Sequence, residues 1–400
     1  MKTRIEDLAI FGGTPAFSEK LHVGRPNIGD RERLMARLND MLDRRYFSND
    51  GPLVREFEAK LAAYLGVKHC VAICNGTVAL EILIRALGLK GEVIVPAFTF
   101  VATAHALKWQ EIEPVFCDID PSTHCLDPKA IEQAITPRTT GIIGVHLWGR
   151  PCDVDALEKI ASARKLELIY DAAHAFGASI GERMLGQFGR AEILSFHATK
   201  FFNSFEGGAI VTNDDQLAER CRLMRNFGFA GFDKVVYVGT NGKMTEPCAA
   251  MGLTSLESVD HFIDVNRRNY TLYREELGSL PGLKMVTYNR DNEHRYNYQY
   301  IVFELDAGIC DRDLLQQVLC AENIVARRYF YPGVHRMAPY NTAKQRHDLS
   351  NTENLSARVI SLPTGTQVDA ERIKTIADIV RFTIRNGAAV QSRRALSSGA

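Results

Sequence analysis

Between about Glu56 and Asp214, short apolar runs alternate with longer amphipathic stretches, and this alternation constrains the fold more than any other feature of the chain. The runs are VIVPAF (93–98), PVFCDID (114–120), IIGVHLWG (142–149), LELIYDAAH (166–174), ILSFHATK (193–200) and AIVTND (209–214). The first four are bounded by turn residues and flanked by helical patterns. FEAKLAAYLG and PKAIEQAI, for example, repeat apolar residues at helical spacing. Such alternation implies right-handed crossovers with helices covering both faces of a mostly parallel, buried sheet. The expected fold class is therefore α/β.

From about Ser258 the texture changes to a long helical stretch (SVDHFIDVNRRNYTLYREELGSL), strands such as NYQYIVFEL and a last helix near ERIKTIADIVRFTIR. We expect a large α/β domain with an N-terminal arm over 1–257 and a smaller α+β domain over 258–390. The polar, small-residue tail 391–400 is expected to be disordered. At roughly 150 residues per domain, 400 residues suit this division.

Composition narrows the function. Lys+Arg 48 balance Asp+Glu 48, so no long-range field favours a polyanion, and nucleic-acid binding is not expected. Nine cysteines, an odd number with no C-x-x-C pair, argue against a disulfide framework and against zinc. The longest uncharged stretch, Val93 to Leu107, holds Pro96 and His105 and is too short for a membrane helix, which needs roughly 20 apolar residues. Acidic residues occupy the start of the chain, where a signal peptide needs an apolar core. A cytoplasmic protein with no bound metal and no membrane partner is the expectation.

Ligands of open parallel sheets bind at the carboxyl ends of strands, so polar residues just after apolar runs are the candidates. Asp171 ends LELIYD, and His174 follows it. A carboxylate there suits a cationic ligand atom, although it suits a helix cap equally, with His174 as a core histidine. Lys200 follows ILSF and lies near Ser195, with Gly207 and Gly208 permitting a tight return. In a partly buried site its amine loses basicity and becomes a Schiff-base nucleophile; on a surface hairpin it does nothing. Asn75, Gly76 and Thr77 open an amphipathic helix whose N–H groups favour a phosphate, and Thr77 alternatively serves as the N-cap.

Taken together, a phosphate seat, a strand-end carboxylate and an imine-forming lysine are what pyridoxal 5'-phosphate requires. Phe100, after VIVPAFTF, is placed to stack on the ring face. Competing motifs fail. No G-x-G-x-x-G follows the first strand, and GTNGKMT lacks both the first glycine and the Ser/Thr of a P-loop.

On these residues the chain resembles the DegT/DnrJ/EryC1/StrS sugar aminotransferases, fold-type I enzymes using pyridoxal phosphate. The likeness runs from about Phe11 to Ile373 through FSNDGPLVREFE, CNGTVAL, VIVPAFTFVAT, PVFCDID, GVHLWGRPCD, DAAHAFG, SFHATKFFNSFEGGAIVTND, NFGF, GTNGKMTEPCAAMGL and SLPTGT. The resemblance implies a seven-stranded, mostly parallel sheet between helices. It gives Lys200 the cofactor imine, Asp171 the pyridine nitrogen and His174 the ring hydroxyl, a position where many relatives carry Gln. Gly76, Thr77 and Ser195 would hold the phosphate, and Asn241 would reach it from the neighbouring subunit, which implies a homodimer with composite active sites. One branch replaces the lysine by His and dehydrates; this chain keeps Lys200.

HLWGRPCD, DAAHA, SFHATK, FEGGA and VGRPN are similar to the branch acting at C-4 of TDP-linked sugars. That branch implies L-glutamate as donor and dTDP-4-keto-6-deoxy-D-glucose as acceptor, in a ping-pong cycle through pyridoxamine 5'-phosphate. For the nucleotide sugar the candidates are Ser48, Asn49, Lys243, Tyr331 and His335, with Arg150, Arg327 and Arg328 for the diphosphate. A C-3 nucleotide-sugar or scyllo-inosose aminotransferase shares all the cofactor residues and stays open. A non-catalytic binding scaffold is the alternative of another class, disfavoured by the retained Lys200 and Asp171.

Overall fold

The computed structural model describes residues 2–288, 294–342 and 346–398. Its centre is a seven-stranded sheet in the order His69–Ile73, Gly208–Thr212, Ala191–Ser195, Glu167–Asp171, Thr139–Val145, Glu92–Pro96, Glu113–Cys117. Gly208–Thr212 runs antiparallel to both neighbours, and every other pairing is parallel. The six apolar runs all contribute strands. The seventh, HCVAI, is a five-residue edge strand between two helices.

Strand side chains alternate between faces. Ile94, Val115 and Ile142 enter one apolar cluster, whereas Val93, Val95 and Ile143 enter another on the opposite face. Both faces are covered by helices, which is why these strands read as continuous apolar runs. Helix Gly76–Ala86 covers one face with Ala79, Leu80 and Leu83 fully buried. Helix Pro52–Leu65 covers the other with Phe57, Leu61 and Leu65. Its N-cap, Gly51, has no side chain to accept from the first turn, so buried Glu246 does so, taking the Leu53 and Val54 amides at 2.9 Å each.

The C-terminal part has an antiparallel sheet of Leu283–Met285, Ile301–Leu305 and Val359–Leu362. It packs with helices Val259–Leu277, Arg312–Ala321 and Ala370–Arg385 around a separate core. Leu8 and Leu21 of the N-terminal arm belong to this core, not to that of the large domain to which the sequence assigns the arm. Glu322 anchors the arm through the Ala9 and Ala16 amides at 2.8 Å each, and Leu21–His22 pairs in parallel with Ile324–Val325. The tail also differs from expectation: a helix runs Gly387–Ser398, with Val390 buried and Arg393 set over the Phe11 ring and paired with Glu6.

All nine cysteines are free thiols. Among the described residues no group of three or more His, Cys, Asp or Glu is arranged to hold a metal ion, and no helix is long and apolar enough to cross a membrane.

Candidate active site

Asp171 closes the strand Glu167–Asp171 and is 6% exposed. Its Oδ2 accepts from the Thr103 hydroxyl at 2.8 Å and its Oδ1 from the Ala173 amide at 3.1 Å. Burial raises its carboxyl above the ordinary range, opposed by those two hydrogen bonds and by the charge of Lys200. No helix follows Asp171, so the helix-cap reading does not hold: its bond to the Ala173 amide closes a turn, while its charge faces Lys200.

Lys200 leaves the end of the neighbouring strand Ala191–Ser195 and is half-buried. Loss of hydration pushes its amine down to about 8, against the pull of Asp171. Nζ donates to the Tyr300 hydroxyl at 3.4 Å. His174 touches the same tyrosine, its ring buried against that of Tyr300, with Nδ1 lacking a hydrogen-bond partner among the described residues. Its imidazole is held well below the ordinary range, first by burial and then by the lysine charge, so it is neutral. Aromatic rings surround it: Tyr300 at 4.5 Å, Phe330 at 5.9 Å and Trp148 at 6.1 Å between centroids.

The third feature sits at the same sheet edge. The antiparallel strand begins at Gly208, which registers with both Ile73 and Ser195. A Cβ on Gly208 would lie 2.7 Å from the Asn75 carbonyl carbon and the Gly76 nitrogen. A Cβ on Gly76 would come to 3.0 Å from that of Ser195. Two glycines thus bring the N-terminus of helix Gly76–Ala86 against Ser195. Asn75 is the N-cap, its Oδ1 accepting from Val78 N at 2.9 Å. The Thr77 hydroxyl is not the cap and has no hydrogen-bond partner among the described residues, leaving it available at an anion-favouring helix end.

Phe100 is exposed and tilted against Phe330, with ring centroids 6.2 Å apart. With Arg327, Arg328 and Tyr331 it lines a hollow of about 410 Å³. The Arg328 guanidinium lies 4.7 Å over the Tyr331 ring and also pairs with Asp313 at 3.1 Å. Arg150 instead donates to the Ser122 carbonyl at 3.2 Å. Asn49 and Lys243 line another hollow of about 260 Å³ with Arg222, Arg225 and Phe229. Ser48 precedes it, half-buried. Neither hollow is lined by Lys200 or Asp171. His335 is buried, with Nε2 directed at Glu353 3.3 Å away. Asn241 is exposed, and its strand partner within the chain is Asn226.

Sequence reasoning passed over Thr103, Trp148, Tyr300 and Phe330. Thr103 and Trp148 stand in quoted strand-end segments, PAFTFVAT and GVHLWG, and that position was the signal. Tyr300 and Phe330 come from the C-terminal part and carry no local signal.

The profile of the DegT/DnrJ/EryC1/StrS aminotransferase family matches residues 29–381. The dTDP-4-amino-4,6-dideoxy-D-glucose transaminase of Shigella dysenteriae is 38% identical over 361 residues, 90% of this chain and 98% of its own length. GDP-perosamine synthase of Escherichia coli O157:H7 is 33% identical, covering 90% and 97%. Among solved structures, DesI in the presence of its TDP-sugar product superposes with a TM-score of 0.94 at 49% identity, covering 98% of this chain and all of the other. With the fold, the half-buried lysine and the match over most of its length in agreement, the chain belongs to the DegT/DnrJ/EryC1/StrS aminotransferases, a family dependent on pyridoxal phosphate.

Proposed function

We propose that the chain transfers the amino group of L-glutamate to the C-4 ketone of dTDP-4-keto-6-deoxy-D-glucose, giving dTDP-4-amino-4,6-dideoxy-D-glucose. The observation that carries this reading is the grouping of half-buried Lys200 with buried Asp171 and His174, with the lysine amine held at about 8. The substrate follows the Shigella relative and the TDP-sugar complex of DesI.

Three features fit pyridoxal phosphate: the orphaned Nδ1 of His174, the glycine-cleared helix end at Gly76, and the strand-end carboxylate facing an amine of lowered basicity. When bound, the group supplies an aldehyde that captures amines and a cationic ring that withdraws electrons from the adjoining carbon. Asp171 would hold the ring nitrogen protonated, because a buried carboxylate favours a cation beside it. His174 would meet the ring hydroxyl through its unpartnered nitrogen. The Gly76 and Thr77 amides, the Thr77 hydroxyl and Ser195 would seat the phosphate.

Lys200 Nζ is the proton carrier. Near neutrality it exists in both forms, so it takes the proton from the donor carbon and returns it on the other side of the reaction. The same amine serves both halves of a ping-pong cycle, forward with glutamate and backward with the sugar ketone. Trp148, Phe330 and Tyr300 wall the site and exclude water around that transfer.

A homodimer completes the reading. Phe227, Phe229, Phe232, Val235, Val236 and Val238 stand exposed in one segment, an apolar surface suited to a second copy, which would carry Asn241 to the partner's phosphate. Nine free thiols suit a reducing cytoplasm.

The test is product identification after incubation with dTDP-4-keto-6-deoxy-D-glucose, L-glutamate and cofactor, with Lys200→Ala alongside. The 4-amino sugar is expected, and the variant should fold yet make none. Turnover by folded Lys200→Ala, or a preference for 3-keto nucleotide sugars or scyllo-inosose, overturns the assignment.

A further inference from the structure

Lys200 carries its amine on a flexible four-carbon stem, and such a stem holds no single orientation without a partner. Among the described residues, the hydrogen-bond partner of Nζ is Tyr300 Oη at 3.4 Å. Tyr300 does not belong to the sheet that supplies Lys200, Asp171 and His174. It directly precedes the strand Ile301–Leu305 of the C-terminal sheet.

The segment that carries it is tied to the site on both sides. Asn297, fully buried, donates from Nδ2 to the His174 carbonyl at 2.8 Å and to the Phe176 carbonyl at 3.0 Å. Gln299 accepts the amide of Phe201, the residue after Lys200, at 3.0 Å. The Tyr300 ring then lies 4.5 Å from His174 and 5.3 Å from Trp148, which fixes the direction of its hydroxyl. Residues 297–300 thus hold the backbone on the His174 side and on the Lys200 side at once.

We propose that Tyr300 is a positioning residue for Lys200: its phenolic oxygen accepts from Nζ and aims the amine, so that seating of the C-terminal domain sets the competence of the lysine. This rests on reading Lys200 as the proton carrier. Burial pushes the Tyr300 phenol well above its ordinary range, so it remains an uncharged hydroxyl and adds no anion to compete with Asp171. The other groups facing the amine are Asp171, which attracts it, and neutral His174. The nearby His197 is engaged by Thr199 at 2.8 Å and Glu206 at 3.2 Å.

The experiment uses Tyr300→Phe, which keeps the ring and removes the hydroxyl, and Tyr300→Leu, which removes both. In the cofactor-free protein, reductive methylation of Lys200 is followed against pH by mass spectrometry of its peptide. Loss of an acceptor for the ammonium should lower the midpoint by about 0.5–1 pH unit in Tyr300→Phe. In the holoenzyme, kcat should fall about tenfold, as expected for a misaimed proton carrier, with both KM values within about twofold of wild type. The melting temperature should drop only in Tyr300→Leu. A labelling profile and kcat for Tyr300→Phe that superimpose on wild type overturn the proposal, and slowing confined to Tyr300→Leu does so too, by assigning the effect to ring packing. Turnover by Lys200→Ala defeats the functional reading instead, and leaves the labelling shift to decide the Tyr300 contact by itself.

Discussion

Thr103→Val should expose how Asp171 keeps its charge. Thr103 is fully buried in helix Ala102–Lys108, and its hydroxyl reaches Asp171 Oδ2 at 2.8 Å. Valine keeps the shape and removes the donor, leaving a buried carboxylate oxygen without that partner. A hydrogen bond to a charged group contributes roughly 1.5–3 kcal/mol and a neutral one roughly 0.5–1.5 kcal/mol, and the difference of about 1–1.5 kcal/mol is equivalent to about 1 unit of upward shift at 1.36 kcal/mol per unit. The sign follows from burial having already raised the Asp171 carboxyl in the folded chain. A raised acid takes up a proton on folding, so its cost to stability is absent below the unfolded value, near 3.9, and complete above the folded one. The destabilisation by Thr103→Val should therefore grow with pH. It should be about 0.5–1.5 kcal/mol where Asp171 is protonated, the worth of a neutral bond, and about 1.5–3 kcal/mol at pH 8. Paired denaturant midpoints of the cofactor-free proteins across pH measure this directly. In the holoenzyme the same variant should release pyridoxal phosphate faster, because a carboxyl that protonates more readily holds a cationic ring nitrogen less well. A pH-independent loss, or none, would refute the claim that this hydroxyl sustains the charge.

Two further substitutions probe the frame of the site. Gly208→Ala places a methyl 2.7 Å from the backbone of Asn75 and Gly76, which must move; we expect a loss of about 1–3 kcal/mol by denaturation and weaker retention of the cofactor phosphate. Asn297→Ala strips the donors from the His174 and Phe176 carbonyls inside the protein, and should cost about 2–4 kcal/mol in the same assay. A change within 0.5 kcal/mol for either would mean that the site edge yields more easily than its packing indicates.

Much of the site was legible because its residues sit at strand ends. Asp171, Ser195 and Lys200 close or follow apolar runs, and parallel strands deliver their carboxyl ends to one edge, so their place on that edge could be read from the sequence. Gly76 and Thr77 were legible as a helix start, although the cap proved to be Asn75. The substrate candidates fared differently. Charge and polarity along a chain do not tell which hollow a side chain lines. The structure puts Arg327, Arg328 and Tyr331 in one, Asn49 and Lys243 in another, and turns His335 toward Glu353.

The sequence by itself determined the buried parallel sheet, because a strand covered on both faces must be apolar throughout, and a chain alternating such strands with amphipathic helices has few ways to bury both. It also determined which polar residues stand at the carboxyl edge of that sheet. Tertiary structure alone decided what closes that edge. The aromatic wall of Trp148, Phe330 and Tyr300, the clamp of Asn297 and Gln299, and the seating of Leu8 and Leu21 in the C-terminal core all join residues far apart in the chain. Hydrophobic periodicity reports whether a residue is buried, not against which partner. Those partners are set only when two separately formed cores come into contact.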